Sequence, residues 1–418
     1  MVQQEVPTST KRTGVELFAG GGGLALGVHN AGFRPLLVNE FAKRACETLR
    51  ANGALEYEDK EYLPEPGEAW PLIEGDVRDV KFGYLEDKVD LLAGGPPCQP
   101  FSLGGAHRGV EDERNMFPQF FRAMREIRPR AFVCENVRGL LRPSFDRYFK
   151  YILNELRLPF VERDGGSWEE HNDLLLQRLK EVPKDSPDRY DVVPVPVNAA
   201  DYGVPQIRRR VIIVGFRADL GVDWSRFQPK PTHSESSLIM SIKKGDYWNR
   251  SNGESTIPKR VREAASARYP DVLPLENVLQ PWRTLRDALE GIDGGPKLPE
   301  VPFALMDRRT EIDGIPDHVG WPGARIYDGH TPNELDRPAK TVKAGVHGVP
   351  GGESVVRLDD GSYRYMTVRE TARVMTFPDE WRLAGPRGEK MRQLGNAVPV
   401  LLAERFAQAI SDALDSVE

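Results

Sequence analysis

The first half of the chain alternates short apolar runs with stretches of helical spacing. The runs that we interpret as strands cover residues 14–18, 35–38, 89–93, 131–134 and 210–215. Between them, apolar residues recur at helical intervals over residues 24–31, 42–52 and 117–127. This alternation, from Gly14 to about Phe216, is typical of βαβ units that stack into a parallel sheet. The sequence therefore predicts an α/β fold for this part of the chain.

The pattern changes after Arg217. Pro, Ser, Gly and Trp become more frequent, strong periodicity is lost, and residues 232–237 are predicted to form a loop. Helical spacing returns weakly at residues 284–289 and strongly at 368–375 and 400–414. We therefore expect a second structural unit to begin near residue 217.

Composition limits the class of protein. With 418 residues, of which 39% are hydrophobic, the chain can bury a full core and suggests two or three structural units. Its three cysteines, Cys46, Cys98 and Cys134, form no CxxC pair and lie near no histidine cluster, so we expect neither disulfides nor a bound metal. No stretch reaches the roughly 18 apolar residues of a membrane span, and the start lacks a signal-peptide core. We expect a cytoplasmic protein in a reducing compartment.

The charge of the chain leaves nucleic-acid binding open. A net charge of −6 is not typical of a nucleic-acid binder, but binding depends on where the basic residues cluster. Residues 241–262 contain six basic and two acidic residues, together with Tyr247 and Trp248. Basic residues interleaved with aromatic ones suit a phosphate-contacting surface, and a solvated loop fits the same pattern equally well.

The most informative segment is GGPPCQPFS, at residues 94–102. It follows an apolar run that ends at Ala93, and the carboxyl ends of parallel strands are where open α/β sheets bind ligands. Cys98 is therefore a thiol in a rigid turn between prolines, as expected of a nucleophile. A structural cysteine is the alternative, but inert cysteines usually lie within apolar elements.

A glycine-rich loop predicts a cofactor site. The first strand leads directly into FAGGGG at residues 18–23 and then into a helix, so that the backbone can approach a ligand closely. The spacing Gly20-x-Gly22-x-x-Ala25 also fits a dinucleotide fingerprint, in which a helix N-terminus meets a pyrophosphate.

Two acids near this loop fit a bound nucleoside. Glu40 closes the second strand, where an acid can accept both ribose hydroxyls, although a solvated helix cap is the alternative. Phe41 beside it can stack on an adenine face. Asp76 closes what we interpret as a third strand and is predicted to accept the adenine amino group.

Together these motifs resemble the DNA cytosine-5 methyltransferases, a family that uses S-adenosylmethionine. The resemblance covers, in order, FAGGGG (18–23), NE (39–40), GD (75–76), PCQ (97–99), ENV (135–137), QIRRR (206–210), RPAKTV (337–342) and LGNAVP (394–399). Glu16 stands where the family usually has Asp, and Phe41 where Trp is frequent. Residues 217–334 carry no recognisable motif, and this is where the family has its variable target-recognition domain.

The resemblance implies an S-adenosylmethionine-dependent methyltransferase fold. This is a Rossmann-like, mostly parallel sheet with helices on both faces, plus a smaller irregular target-recognition domain. The implied limits are 14–216 for the first part of the catalytic and cofactor-binding domain, 217–336 for target recognition and 337–418 for a return segment. The cofactor-binding residues implied or predicted are Phe18, Ala19, Gly20, Gly22, Gly23, Glu40, Phe41, Asp76, Val77, Pro97 and Asn396.

The chemistry of cytosine methylation assigns the catalytic roles. Because C5 is a poor nucleophile, Cys98 is expected to add first to C6 and so to raise the electron density at C5. Glu135, at the end of an apolar strand, is predicted to give N3 a proton or a strong hydrogen bond. A structural salt bridge is the alternative role for this acid.

The arginine motif is predicted to contact the base. Arg208 and Arg210 alternate on a strand and are expected to point to one face as a pair, where they fix the base O2, orient Glu135 or hold a phosphate. Arg209 is expected to face the DNA backbone or solvent. In the resembled family the second arginine of the motif binds the base, so Arg210 is the better candidate and Arg208 the supporting one.

We therefore predict a DNA cytosine-5 methyltransferase that acts as a monomer on an everted cytosine in a specific duplex sequence. It would belong to a restriction-modification system, with a restriction endonuclease as partner, or be an orphan bacterial-type enzyme associated with the nucleoid. A tRNA cytosine-5 methyltransferase of the same fold is the alternative, and the long divergent region favours DNA. A nicotinamide-dependent oxidoreductase would leave Cys98 and Glu135 unexplained, and a catalytically silent DNA-binding relative would not need them.

Overall fold

A computed structural model describes residues 12–97, 115–249, 257–269, 279–291, 296–326, 328, 331–344 and 354–418. The chain splits into two compact units. Unit 1 comprises the chain up to Val197, Arg209–Pro229 and Ala403–Glu418, and unit 2 comprises Asn198–Arg208 and Lys230–Leu402. The functional limits expected at 14–216, 217–336 and 337–418 stay a prediction, and residues 337–402 belong structurally to unit 2.

Unit 1 is built on a central sheet. Its strands are β1 (Arg12–Leu17), β2 (Phe33–Glu40), β3 (Leu72–Glu74), β4 (Leu91–Gly94), β5 (Ala131–Val137), β6 (Tyr190–Asn198) and β7 (Arg209–Arg217). In the described residues they form seven strands in the order β3-β2-β1-β4-β5-β7-β6. The pairs β1–β2, β1–β4, β2–β3 and β4–β5 are parallel, and β7 runs antiparallel to β5. The five predicted strands are present, and β3 and β6 complete the sheet.

Helices fill the intervals between these strands. They are α1 (Gly23–Asn30), α2 (Lys43–Ala51), α3 (Phe117–Ile127), α4 (Asp146–Arg157) and α5 (Trp168–Glu181). Helix α3 shows how the sequence pattern builds the core, because one face of it is buried at Phe117, Phe120, Phe121, Met124 and Ile127. The helix ends at Arg128, whose φ of 53° lies in the left-handed region, directly before Pro129.

The end of the chain returns to the first strand. Arg12, at the start of β1, is only 4% exposed, and its Nη1 atom donates to Oε1 of Glu418 at 3.0 Å. The same guanidinium pairs with Asp415, and Arg130 also pairs with Glu418. These ion pairs join residues that lie 406 positions apart in the sequence.

Unit 2 is made of short elements. They are β8 (His233–Ser234), α6 (Glu235–Lys244), α7 (Lys259–Ala267), β9 (Gln280–Pro281), α8 (Leu285–Glu290), β10 (Asn333–Glu334), β11 (Val355–Arg357), β12 (Tyr363–Tyr365), α9 (Val368–Val374) and α10 (Arg387–Asn396). The last helix, α11 (Val400–Asp415), begins in unit 2 and continues into unit 1. The helices predicted at 284–289, 368–375 and 400–414 are confirmed as α8, α9 and α11.

The prediction of a loop at residues 232–237 is wrong. This segment forms β8 and the first turn of α6, which the sequence analysis missed. The hydroxyl of Ser234 accepts a hydrogen bond from the backbone N–H of Ser237 at 3.1 Å. Ser234 is therefore a helix N-cap, and the serine-rich composition that suggested a loop is a capping signal.

The aromatic residues of the basic stretch do not form a phosphate-contacting surface. Tyr247 and Trp248 are only 3% and 7% exposed, and they pack with Leu238, Ile242 and Trp282 in a hydrophobic cluster of unit 2. The hydroxyl of Tyr247 donates to Oδ1 of Asp336 at 3.0 Å. The hypothesis of basic residues interleaved with exposed aromatics is therefore wrong for these two residues.

Among the described residues, no helix combines the length and the apolar character needed to cross a membrane.

Among the described glycines on the strands of unit 1, Gly215 leaves the least room for a side chain. It lies opposite Phe132, and an added Cβ would stand 2.2 Å from Cε1 of that ring. We expect Gly215→Ala to lower the free energy of unfolding by about 1–3 kcal/mol, because Phe132 must leave its packed position. Urea-induced unfolding measures this change.

Gly14→Ala is the matched control. A Cβ at Gly14, in β1, would lie 3.5 Å from Cβ of Phe33, which is ordinary van der Waals contact. We expect a change within about 0.5 kcal/mol, as for substitutions that neither overpack nor leave a cavity. Equal losses in the two variants would contradict the overpacking argument.

Candidate active site

The register of the parallel strands gathers the predicted site residues at one edge of the sheet. Asn39, Leu17, Gly94 and Cys134 form one row across β2, β1, β4 and β5. The residues that directly follow this row are Glu40, Phe18, Gly95 and Glu135. Each comes from a predicted motif, and parallel pairing sends all four strands out of the sheet at the same edge.

The turn that leads into the predicted nucleophile is bound to the strand that carries the predicted acid. Nδ2 of Asn136 donates to the carbonyl oxygen of Pro96 at 3.1 Å, in a buried position. A Cβ on Gly95 would lie 3.7 Å from Oε2 of Glu135, so this glycine runs alongside the carboxylate. Cys98 itself, in the stretch 98–114, lies outside the described residues, and its predicted role stays a prediction.

Glu135 is paired with Arg210. The side chains are 11% and 14% exposed, and Nε of Arg210 lies 2.7 Å from Oε1 of Glu135. The antiparallel pairing of β5 and β7 brings them together. Glu135 on β5 lies opposite Ile212 on β7, and Arg210, two residues before Ile212, points to the same face of the sheet. Within the described part of the chain, Oε1 of Glu135 accepts no well-aligned hydrogen bond. This buried oxygen therefore retains the capacity to bind a polar group of a substrate.

Arg208 has a different environment from Arg210. Strand β7 begins only at Arg209, and Arg208 belongs to unit 2, where it is 1% exposed. Its Nη1 atom donates to the carbonyl of Val342 at 3.1 Å, and Nη2 donates to the carbonyls of Gly395 and Ala397 at 2.9 Å. These bonds hold two of the sequence motifs together. The alternation of arginines in the sequence predicted that Arg208 points to the same face as Arg210, and it did not predict these carbonyl partners. The supporting role of Arg208 in base binding stays a prediction.

The glycine-rich loop has the backbone geometry that its sequence predicted. Gly20 and Gly22 have φ of 56° and 88°, in the left-handed region that glycine adopts without strain, and Gly22 is the N-cap of α1. Phe18 also has a positive φ, 60°, which is rare for an aromatic residue. A Cβ on Gly20 would meet no heavy atom within 4 Å, so open space adjoins the loop at this residue.

Glu40 holds this loop in place. Its Oε2 accepts from the backbone N–H of Gly20 at 2.6 Å, and its Oε1 accepts from that of Ala42 at 2.7 Å. The residue is 9% exposed, whereas Phe41 beside it is 72% exposed. A carboxylate has about four acceptor positions, so Glu40 can bind the loop and still accept ligand hydroxyls. Its predicted contact with a ribose stays a prediction.

The segment after β3 is held by side chains that the sequence analysis did not single out. Nη2 of Arg122, on α3, donates to the carbonyl of Val77 at 2.7 Å, and its Nη1 donates to that of Val80 at 3.0 Å. Asp76 caps the following turn by accepting from the backbone N–H of Arg78 at 2.9 Å. The guanidinium of Arg78 also binds this carboxylate and lowers the pKa of Asp76. Only the fold reveals that Arg122 reaches these carbonyls, since no local pattern marks it.

Glu16 is the most completely buried acid of the described site. It lies on β1, is 4% exposed, and accepts a hydrogen bond from the backbone N–H of Ala25 in α1. Among the described residues its Oε2 atom has no hydrogen-bond partner. Burial, and to a smaller extent the charge of Glu40, raises the pKa of Glu16 well above its ordinary value.

Asn396 is the last residue of α10, in unit 2, and its side chain is exposed. The preceding Gly395 packs so closely that an added Cβ would lie 2.4 Å from the backbone nitrogen of Ala344. In the motif that resembles the family's closing segment, the backbone at Gly395 thus packs directly against the backbone at Ala344, within unit 2. The predicted cofactor contact of Asn396 stays a prediction.

Known proteins match nearly the whole chain. The family model described as C-5 cytosine-specific DNA methylase matches residues 13–158 and 171–412. The Type II methyltransferase M.PspPI of Psychrobacter sp. (strain TA137) is 33% identical over 406 residues, which cover 96% of this chain and 79% of that protein. The Type II methyltransferase M.Eco47II of Escherichia coli is 33% identical over 408 residues, which cover 97% and 80%.

A solved structure shares the fold. The Dnmt2 methyltransferase of S. pombe superposes with a TM-score of 0.54 at 15% sequence identity, covering 98% of this chain and 100% of that one. This likeness confirms the predicted α/β fold with a mostly parallel sheet.

Replacing Glu16 tests whether this acid is held neutral. Above the ordinary value of 4.5, the unfolded chain releases the Glu16 proton while the folded chain retains it. Folding therefore takes up a proton, and wild-type stability falls as pH rises, by up to about 1.4 kcal/mol per pH unit. Glu16→Gln removes this dependence. We expect the variant to gain stability relative to wild type between about pH 5 and about pH 8.

Urea unfolding of both proteins at the two pH values, without added ligand, measures this difference. Glu47→Gln is the control, because Glu47 is a surface acid paired with Arg44 on α2. A difference between wild type and Glu16→Gln that is the same at both pH values would contradict the neutral state.

Proposed function

The chain belongs to the C-5 cytosine-specific DNA methylase family and is a DNA cytosine-5-methyltransferase, and we propose that it methylates an everted cytosine through a covalent bond to Cys98. The observation that carries this proposal is the joined arrangement of Glu135, Arg210 and the Pro96 turn that leads into Cys98. An acid and a guanidinium held in a buried position, next to the turn from which the chain continues to Cys98, suit the activation of a pyrimidine ring.

The cofactor is expected to bind along the row of strand ends. S-adenosylmethionine, which the family generally uses, supplies an electrophilic methyl group on a sulfonium. The described residues fit it, because the open space at Gly20 admits a ligand next to the backbone, and exposed Phe41 offers a stacking face. The residues proposed to hold the cofactor are Phe18, Ala19, Gly20, Gly22, Gly23, Glu40, Phe41, Asp76, Val77, Pro97 and Asn396.

Catalysis begins with access to the base. Atoms of a stacked cytosine cannot be reached in a duplex, so the nucleotide must leave the stack, at a cost of a few kcal/mol. Arg210 is proposed to bind O2 of the everted base while it orients Glu135, with Arg208 as a supporting residue. The carbonyl of Pro96, which already accepts from Asn136, has a second lone pair for the cytosine amino group.

In the proposed reaction, Cys98 forms a bond to C6 of the base and later releases it. Its thiolate adds to C6, and Glu135 gives N3 a proton or a strong hydrogen bond, so that electron density moves to C5. C5 would then accept the methyl group, and the electron pair of the broken carbon–sulfur bond would stay on the cofactor sulfur, which leaves as a neutral thioether. Loss of the C5 proton to water, return of the N3 proton to Glu135 and departure of the thiolate from C6 restore the aromatic ring and the free cysteine.

The names of the relatives support a role in a restriction-modification system. Those that match most of this chain are named Type II methyltransferases, which favours duplex DNA over tRNA as substrate and a restriction endonuclease as functional partner. We propose that the enzyme acts as a monomer on DNA in the cytoplasm, in association with the nucleoid.

A methyl-transfer assay tests the substrate. With tritiated S-adenosylmethionine, we expect incorporation into duplex DNA, none into tRNA and none without an acceptor, because the family and the relatives are DNA enzymes. Bisulfite sequencing of DNA from cells that express the chain then identifies the methylated cytosines. Incorporation into tRNA alone would contradict the choice of substrate.

A trapping experiment tests the nucleophile. In a duplex that carries 5-fluorocytosine at the target, with S-adenosylmethionine present, methyl transfer leaves a fluorine on C5 that cannot depart as a proton does, so the bond between Cys98 and C6 should persist as a denaturation-resistant adduct. We expect Cys98→Ala to abolish the adduct and the transfer while cofactor affinity, measured by calorimetry, is retained. Cys134→Ala, at a buried thiol of β5, is the control and should still form the adduct. An adduct in Cys98→Ala would remove this residue from the mechanism.

A further inference from the structure

The segment that follows Glu135 carries three arginines that have no partner among the described residues. Arg138 and Arg147 are exposed and Arg142 is half-buried, in the turns after β5 and the first turn of α4. Within the described ranges, none of these three guanidinium groups takes part in an ion pair or a side-chain hydrogen bond. Several surface arginines pair with a nearby acid on their own helix, as Arg44, Arg178 and Arg392 do. Among the described residues, the three arginines after Glu135 have no such partner, and they follow one another within a stretch of ten residues, 138–147.

The local charge is also uncompensated in the sequence. Residues 136–150 contain four basic residues and one acid, Asp146. That acid is already bound, because Nζ of Lys150 donates to its Oδ2 at 2.7 Å. Within the described ranges, three positive charges of this short segment thus have no acid bound to them, in a chain whose net charge is −6. Such a cluster attracts a polyanion, whatever the sign of the whole molecule.

The segment is ordered and lies next to the candidate active site. Val137 is the last residue of β5 and pairs with Arg210, so Arg138 leaves the sheet directly beside the Glu135–Arg210 pair. Buried Leu140 and Tyr148 anchor the turns and α4 to the core of unit 1. The arginines are therefore presented from a fixed backbone, and fixed donors bind a phosphate with less loss of entropy than mobile ones.

We propose that Arg138, Arg142 and Arg147 form a phosphate-binding strip that holds the backbone of the DNA strand carrying the everted cytosine. The proposal rests on the proposed function, since a base bound beside Glu135 and Arg210 brings its own flanking phosphates to this edge. Guanidinium groups bind phosphate oxygens in a bidentate manner. These contacts do not read sequence, so the strip contributes to affinity and register on any duplex. Arg209, exposed and expected to face backbone or solvent, precedes Arg210 on β7, which pairs with Val137 directly before Arg138.

The salt dependence of DNA binding tests the strip directly. Each phosphate contact releases condensed counterions and adds about 0.9 to the slope of log K against log salt concentration. We expect the triple variant Arg138→Gln, Arg142→Gln, Arg147→Gln to lower this slope by about 2.7 on a labelled duplex without a chosen sequence. Fluorescence anisotropy over a series of salt concentrations measures it. Because the contacts ignore sequence, the recognised site need not be known.

Two matched variants separate phosphate binding from damage to the fold. The triple lysine variant keeps the charges, so it should retain most of the slope. Arg226→Gln removes an exposed arginine of unit 1 that follows the other end of β7, and it should leave the slope unchanged. An unchanged slope in the triple glutamine variant, or an equal loss in Arg226→Gln, would overturn the proposal.

The outcome is distinguishable from failure of the proposed function. If wild type methylates DNA but the slope does not respond to the glutamine variant, only the strip is wrong. If wild type transfers no methyl group to DNA, the proposed function fails first. A loss of slope on tRNA without one on duplex DNA would also overturn the strip, because the bound polyanion would then be RNA.

Discussion

The parallel register of β1, β2, β4 and β5 is the constraint on which the candidate site depends. A single row crosses the sheet from Asn39 to Cys134 near the carboxyl ends of four strands, and the residue that follows it in each segment belongs to a predicted motif. These residues are far apart in sequence but share one edge because parallel strands leave the sheet in the same direction. A slip of one residue in any pair would send the following side chain to the opposite face.

Buried acids at this edge are stabilised in three different ways. Glu40 accepts two backbone N–H groups, Glu135 lies against Arg210, and Glu16 has one N–H and a raised pKa. Each arrangement offsets part of the free energy that is lost when a carboxyl group is removed from water. The environments differ although the residue type is the same, so one fold can hold a loop with one acid, pair a second acid with an arginine and raise the pKa of a third.

The sequence predicted the parts of the structure that local periodicity controls. The apolar face of α3 repeats at helical intervals, and the apolar run of β4 has the length of a strand and is followed by glycine and proline; both were placed correctly. The resemblance to a family added the fold and the enzyme class, which the comparisons confirm. The short elements of unit 2 were harder, because Ser234 acts as a cap in a segment whose composition suggests a loop.

Long-range packing was not visible in the sequence. Tyr247 and Trp248 lie among basic residues but are buried by Leu238 and Trp282, which come from other parts of the chain. In the same way, Arg208 binds carbonyls more than 130 residues away, while Arg210, two positions on, meets Glu135. Alternating positions on a strand point to one face, but the alternation does not reveal that β7 begins only at Arg209 or that Arg208 belongs to unit 2.

The ion pairs between Arg12 and the last turn of α11 have a consequence for how the protein is made. Unit 1 draws on three separate stretches of chain, and the final one, Ala403–Glu418, is synthesised after all of unit 2. In a ribosome-bound nascent chain, β1 can already pair with β2 and β4, but Arg12 lacks Asp415 and Glu418 until translation has passed α11. Closure across so many residues is slow, so chaperones that shield apolar surface during synthesis would meet unit 1 in this half-assembled form.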